Sequence, residues 1–434
     1  MKQYNYYTDE NGNSIFPAGT LQAYHVIDEL RASEESGERK GYGNIGIALR
    51  IQEHVVNYEL LEVALNRVIN ENDQLRSVCV RDRDTICQKI ISKLDFHLDV
   101  VEAQGNNTDE KMKWAMAYSQ SELMKPMDFF NDVMYRIFVI KIADDDNILV
   151  IVVQHWMGDG TSINVIFNST MKYYLHPDSE DIAPPKFIDY IKEQNEFLES
   201  DAGKAQIEYW EKQLAGYEPY DFDSIDFGEA DNGSDKVFII SLNLIESVAK
   251  KYKVTRFNVF HLALHVAISL YTGKYDTVIG ATSANRTMKY INTVGFFAKP
   301  VLVRVKINSD NDKLSDLLAE SVKTFSKGLS NLKALNRTDI IQITSPYQNF
   351  IARGEKIYNE IKTSKLNITG QRGIKIAALP AIENEDKLVV AAMGHGSIIT
   401  DHFVNTLKDY INMVLEVMSS DTEATVADVK SKLL

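Results

Sequence analysis

Cysteine is almost missing from this sequence: Cys79 and Cys87 are its only two in 434 residues. Two thiols cannot build a disulfide framework or the usual structural zinc site. Their neighbourhood alternates like a hairpin, which leaves a disulfide open, but reduced thiols in a cytoplasmic protein are the expectation. Long apolar runs are also missing, and none approaches the ~20 residues of a membrane-spanning helix. Residues 1–7 are polar and aromatic, without the apolar centre of a signal peptide. Positive charge is in deficit, with 47 Lys and Arg against 61 Asp and Glu and a net charge of -14. That balance argues against a nucleic-acid partner, since phosphate backbones reward basic surfaces, and no membrane partner is expected either. The nine histidines are scattered. His261 and His265 stand at i, i+4 in an otherwise apolar helix, without an acidic residue to complete a metal site. Core or interface placement is therefore expected, and no metal. There is no fixed-period repeat and no low-complexity tail.

What is present describes a soluble α/β protein. Hydrophobic residues make up 44% and charged residues 25%. A chain of 434 residues is too long for one ordinary core, so two lobes are expected. Phe16 to Leu30 is an amphipathic stretch and Glu34 to Gly43 a polar loop. Ile45 to Ile51 alternates as a strand. Tyr58 to Asn70 is a helix with Leu61, Leu65, Val68 and Ile69 inward. Thr108 to Met124 is a second helix ended by Pro126, and Val133 to Ile142 a strand. His176-Pro177 and Pro184-Pro185 mark the clearest boundary, which places an N-terminal lobe at 1–178 and a C-terminal lobe at 179–434. Beyond it come helices at 187–199, 202–214 and 258–271, and strands at 237–242, 277–282 and 301–307.

The chain is organised around Ile148-Leu149-Val150-Ile151-Val152-Val153-Gln154-His155-Trp156-Met157-Gly158-Asp159-Gly160. The apolar run reads as a buried strand that stops at Gln154-His155. Gly158 and Gly160 bracket Asp159 in a tight turn, and Thr161 or Ser162 is placed to cap the next helix. That helix, roughly Ser162 to Tyr174, puts Ile163, Ile166, Phe167 and Thr170 on one face. An imidazole and a carboxylate thus meet at a strand-to-helix junction, where a rigid strand positions groups beside an open turn.

Gln154 through Gly160 resembles the His-His-x-x-x-Asp-Gly signature of nonribosomal peptide synthetase condensation domains, within the chloramphenicol-acetyltransferase-like acyltransferase superfamily. Further blocks follow in family order. Leu60 to Leu65 with Leu75-Arg76-Ser77 resembles the helix-then-LR segment, and Pro126-Met127-Asp128-Phe129 the Pro-Phe-Asp-Leu segment. Tyr209-Trp210 with Leu214 and Gly216 is similar to the stretch that opens the second lobe. Ala284-Asn285-Arg286 and Val294-Gly295-Phe296-Phe297 resemble the block around Gly-Phe-Phe. The Asp-Phe-Gly-Trp-Gly block of plant-type relatives is absent.

The resemblance implies two acyltransferase-like lobes in a V-shaped pseudo-dimer around a tunnel. Donor and acceptor would be phosphopantetheine thioesters on peptidyl or acyl carrier domains, with no bound cofactor. His155 would be the catalytic residue. Gln154, Asp159 and Arg286 would be structural at the active site, with Arg286 paired to Asp159 across the lobes. Gly160, Trp156, Gly295, Phe296 and Phe297 would border the tunnel. The departure is Gln154, which replaces the first His but keeps one donor and one acceptor. The expected activity is amide-forming condensation by a cytoplasmic enzyme; with no adenylation or carrier module in the sequence, a free-standing enzyme is expected ahead of an excised domain. Two alternatives stand beside it: O- or N-acylation of a free small-molecule acceptor from a carrier- or CoA-bound donor, and a catalytically silent interaction domain.

Overall fold

The computed structural model describes residues 6–36, 43–180, 182–230, 235–335, 340–346, 361–366, 368, 375–384, 386–394 and 396–433. The chain divides into two compact units. The first holds Met1–Glu196, Ala284–Ala298 and Ala352–Gly373; the second holds Phe197–Ser283, Lys299–Ile351 and Ile374–Leu434. The first unit runs past residue 178 because Phe187 and Ile191 bury themselves with Phe16, Ile90, Tyr290 and Phe297. The prolines at 184 and 185 therefore interrupt a connection inside that unit.

The first unit contains β1 (Tyr7–Thr8), β2 (Ser14–Pro17), α1 (Thr20–Ser36), β3 (Asn44–Gln52), α2 (Tyr58–Glu71), β4 (Ser77–Asp82) and β5 (Thr85–Ile90). It continues with β6 (Asp99–Glu102), α3 (Thr108–Met124), β7 (Tyr135–Ala143), β8 (Asp146–Gln154), α4 (Gly160–Leu175) and α5 (Phe187–Glu199), whose last residues enter the second unit. The stretch read as one amphipathic segment at 16–30 is thus split between β2 and α1. Of the expected polar loop at 34–43, residues 34–36 finish α1, and 37–42 lie outside the described residues.

The strand β8 lies at the centre of a five-stranded sheet in the order β13-β3-β8-β7-β6, where β13 is Lys362–Leu366. Its core, Ile148 to Val153, is fully buried, which is why an unbroken apolar run suits it. It pairs antiparallel with β3 and β7, and that pairing fixes where the chain leaves the sheet at Gln154. Helix α2 begins at the Asn57 cap and buries Leu61, Ala64, Leu65, Val68 and Ile69. A four-stranded sheet, β1-β2-β5-β4, contains Cys79 and Cys87, which are buried free thiols.

The second unit contains α6 (Asp201–Leu214), β9 (Asp235–Ser241), α7 (Leu242–Tyr252), α8 (Arg256–Thr272), β10 (Asp276–Ser283), β11 (Lys299–Lys306), α9 (Leu314–Ser330) and β12 (Ile343–Thr344). It is completed by β14 (Ile376–Asn384), β15 (Lys387–Gly394), α10 (Asp401–Ser420) and α11 (Val426–Ser431). Its six-stranded sheet runs β11-β10-β12-β14-β15-β9. Helix α8 is held by a Thr255–Asn258 capping box and buries every residue from Asn258 to Ser269. His261 and His265 lie inside that core, with His265 Nδ1 2.6 Å from Thr277 Oγ1. Among the described residues no three His, Cys, Asp or Glu side chains gather as a metal site, and no helix is long and apolar enough to cross a membrane.

Candidate functional site

The end of β8 leaves one residue partly exposed between buried neighbours. Gln154 is buried, and its Oε1 accepts a hydrogen bond from the Trp156 backbone N–H at 2.5 Å. His155 is half-buried, and its backbone N–H donates to Gly43 O at 2.8 Å. Met157 N donates to Gln154 O at 2.8 Å, which closes the turn. Trp156, expected to border a tunnel, is fully buried in the core of the first unit. Its indole N–H donates to Ser77 Oγ at 3.2 Å, so it cannot line an accessible path.

The helix cap is Asp159 itself rather than Thr161 or Ser162. Its Oδ1 accepts from Ser162 N at 2.9 Å, so the carboxylate satisfies an amide that the helix leaves open and sits at the positive end of α4. The same oxygen accepts from Arg286 Nη2 at 2.9 Å. The second oxygen accepts from Phe297 N at 3.2 Å and Ala298 N at 3.1 Å. Arg286 is equally occupied: Nη1 donates to Tyr290 O and Thr293 O at 2.9 and 2.5 Å, and its guanidinium lies 4.2 Å from the centre of the Phe297 ring. Both side chains are buried. Ser162 Oγ accepts from Gly295 N and Arg286 Nη2, and it lies 2.8 Å from Gly295 O.

Asp159, Ser162, Arg286, Gly295 and Phe297 therefore form one polar knot. It lies within the first unit, because residues 284–298 belong there, and so does not bridge the lobes as expected. Gly295 is part of the packing rather than of an open surface. A Cβ there would stand 2.1 Å from Phe187 Cδ2. Phe297 is fully buried, with its ring centre 5.1 Å from that of Phe187 and 4.5 Å from that of Tyr190. Gly160, by contrast, is exposed, and nothing lies within 4 Å of where its Cβ would be.

Phe296 departs from this buried group. It is half-buried, and its ring centre is 5.0 Å from that of His155. A residue the sequence does not single out completes the arrangement: His25 of α1 stacks on His155 with centroids 5.5 Å apart and planes 11° from parallel. Desolvation, aided by repulsion from His155, pushes the His25 imidazole down to about 3. Gly43, at the end of the expected polar loop, also takes a defined part. Its φ of +81° is a left-handed conformation that suits glycine, and a Cβ would come 3.0 Å from Gln154 Nε2. The only signal for either residue in the sequence is its type.

A buried amide network holds α1 to this turn. Gln22 Nε2 donates to Trp156 O at 2.6 Å and to Gln88 Oε1 at 3.1 Å, while Gln88 Nε2 returns a bond to Gln22 Oε1 at 2.9 Å. Gln74 Nε2 donates to Gln88 Oε1 at 2.8 Å and to Ser77 Oγ at 3.1 Å. These bonds tie α1 and β5 to the Trp156 carbonyl, while Gln74 Oε1 stays buried without a partner.

The family model described as "Condensation domain" matches residues 34–371. Bacitracin synthase 1 of Bacillus licheniformis is 28% identical over 63% of this chain, and a linear gramicidin synthase of Brevibacillus parabrevis is 22% identical over 96% of it. The matches span only 5% and 6% of those much larger proteins. Among solved structures, the X-domain in its complex with OxyB from teicoplanin biosynthesis has a TM-score of 0.78 at 17% identity, covering 95% of each chain. A mutant starter condensation domain of rhizomide synthetase RzmA, in complex with C8-CoA and Leu-SNAC, has a TM-score of 0.76 at 13% identity, covering 95% of this chain and 96% of that one. These likenesses give the fold as the α/β, chloramphenicol-acetyltransferase-like one. With the family model matching residues 34–371, most of the chain, this chain belongs to the condensation-domain family.

Proposed function

We propose that this chain catalyses amide-forming condensation, moving an acyl or peptidyl group from a carrier-bound phosphopantetheine thioester to an amine. The observation that carries the reading is the partial exposure of His155. It is the half-buried side chain of the Gln154–Asp159 turn, and its neighbours on both sides are buried. In the reaction the amine nitrogen attacks the thioester carbonyl, the C–N bond forms and the C–S bond breaks. The amine loses a proton and the leaving thiolate gains one, which yields amide and thiol. An imidazole, which titrates near pH ~6.5 when unperturbed, suits both the acceptance of that proton and the orientation of the amine.

Asp159, Arg286 and Gln154 act on the reaction through the backbone. The first two anchor the turn after His155, and Gln154 holds the Trp156 amide beside it. Acyl and peptidyl carrier domains are the partners this reading requires. The likeness to a starter condensation domain bound to C8-CoA supports a pantetheine-type thioester as donor. The test offers the purified protein an acyl-carrier thioester and the matching acyl-CoA, each with amine and alcohol panels, and follows product by mass. Amide from the carrier thioester, lost in His155→Ala, is the expected result. Ester with a free alcohol, or use of CoA alone, points instead to small-molecule acylation.

A second reading rests on Gln154 standing where the family motif has its first His, together with the likeness to an X-domain in complex with OxyB. On that reading the chain is a docking domain without turnover. Product formation in any arm of the same assay rules it out.

A further inference from the structure

The transfer chemistry uses one imidazole, yet the structure holds two face to face. Gln22 lies three residues before His25, on the same face of α1, and its carboxamide is bonded to the carbonyl of Trp156, next to His155. Gln22 Oε1 also accepts from Gly19 N at 3.0 Å, at the head of the helix. The position of His25 is thus set by a buried anchor one turn away. Its ring lies nearly parallel to that of His155, at 11° and 5.5 Å. Phe296 closes the third side, 5.3 Å from His25 and 5.0 Å from His155 between ring centres. The peptide of Gly43 fixes the His155 backbone, and a Cβ at Gly43 would approach His25 Nδ1 to 3.6 Å.

We propose that His25 is a positioning residue for His155, and that its stacked ring, with Phe296 as the second wall, fixes the ring plane of His155. This inference rests on the assignment of the transfer chemistry to His155. The torsion that turns an imidazole about its Cβ–Cγ bond is broad, so backbone clamping alone does not aim a ring nitrogen. A flat neighbour on one face and an aromatic ring on another narrow that torsion. The reason to expect a catalytic effect is geometric: displacement of a reacting group by 1 Å can cost ~10²-fold in rate. His25 also suits the place electrostatically. Held neutral by its surroundings, it offers His155 a flat face without a second positive charge.

The test compares His25→Ala, which removes the stack, with His25→Phe, which keeps a flat ring and removes the nitrogens. We expect His25→Ala to lower kcat roughly 10–100-fold with KM for the donor little changed, and His25→Phe to return to within about 3-fold of the parent. A second readout does not depend on turnover. In histidine-15N-labelled protein, the ring signals of His155, identified by their loss in His155→Ala, should show one tautomer pattern in the parent and in His25→Phe. In His25→Ala they should broaden or average while the melting temperature holds. A parent-like kcat and unchanged His155 signals in His25→Ala overturn the proposal. Equal loss in Phe and Ala with unchanged signals also overturns it, since the nitrogens of His25 would then act on substrate directly. If the parent protein forms no product with any donor, the transfer reading fails, and the ring spectra alone still decide whether His25 orders His155.

Discussion

Arg286 Nη2 lies 2.9 Å from Asp159 Oδ1, and both side chains are almost wholly removed from solvent. Removal of one member of a buried pair leaves the other charged without its partner, at ~3–5 kcal/mol. Asp159→Ala and Arg286→Ala should each destabilise by about that much. The double variant should cost less than the sum, with a coupling of ~0.5–3 kcal/mol. Denaturant melts of the four proteins measure it, and a coupling energy of zero would mean that the pair does not hold this turn.

His155→Ala should cut turnover by ~10²–10⁴-fold, the range of a general acid–base group. The hydrogen bond that His155 makes to Gly43 is from its backbone and survives the change. The melting temperature should therefore stay close to the parent value. A folded variant with parent-like turnover would show that the imidazole is dispensable.

Gln154 gives the Trp156 amide its acceptor in a buried place. Gln154→Ala should orphan that N–H and cost ~1–3 kcal/mol. Gln154→His, which supplies a ring nitrogen as acceptor and matches the family motif, should fold and keep activity. Calorimetry and turnover on both variants check the contrast; a His variant that melts as low as the Ala variant contradicts it.

Space at Gly160 is open, and its backbone is not in the left-handed region. Gly160→Ala should therefore leave both stability and turnover unchanged. Gly160→Trp should keep native circular dichroism and melting temperature, and should lower carrier-dependent turnover if substrate reaches His155 past this residue. A Trp variant as active as the parent shows that substrate does not pass this residue.

Acid should loosen the second unit through α8. Burial pushes the His261 imidazole down to about 3, below the ~6.5 of an unfolded chain. The unfolded state then binds more protons between these values, so stability falls as pH drops from about 6.5 toward 3 and is constant above that window. His261→Leu should flatten this slope. Melting temperatures across pH 7 to 4 decide it, and identical slopes in the two proteins would discount the residue.

Elements marked by a stop signal or an unbroken apolar run were legible in the sequence. Thr108–Met124 is a helix of the expected bounds, and the apolar run of β8 is the buried centre of its sheet. What escaped depends on partners distant in the chain. β13 has the polar sequence Lys-Thr-Ser-Lys-Leu and is a strand because its backbone pairs with β3, Lys362 opposite Gln52. No periodicity announces an edge strand of that kind. In the site, His155, Asp159 and Arg286 carried recognisable spacing. His25 and Gly43 carried none, since their roles arise only when α1 and the start of β3 are folded against the turn. Trp156 and Gly295 stand within the expected motifs, yet packing turned both inward. Motif position fixes neighbourhood along the chain, whereas accessibility is settled by what packs above it.

The first unit is discontinuous, and this has a cost in time. Strands β10 and β11 pair in the second unit, Ser283 opposite Lys299, while the residues between them belong to the first. Arg286 is made 127 residues after Asp159, a delay of roughly 6–25 s at ~5–20 residues per second of synthesis. During that interval the Asp159 carboxylate has its helix cap but neither its guanidinium nor the Phe297 and Ala298 amides. A ribosome-bound chain ending near residue 196 is therefore a partly finished lobe, with Phe187 still waiting for Phe297 and β3 for its edge strand. A graft that takes only the first 196 residues should therefore fail to form the lobe, because Phe297 and the edge strand are left behind.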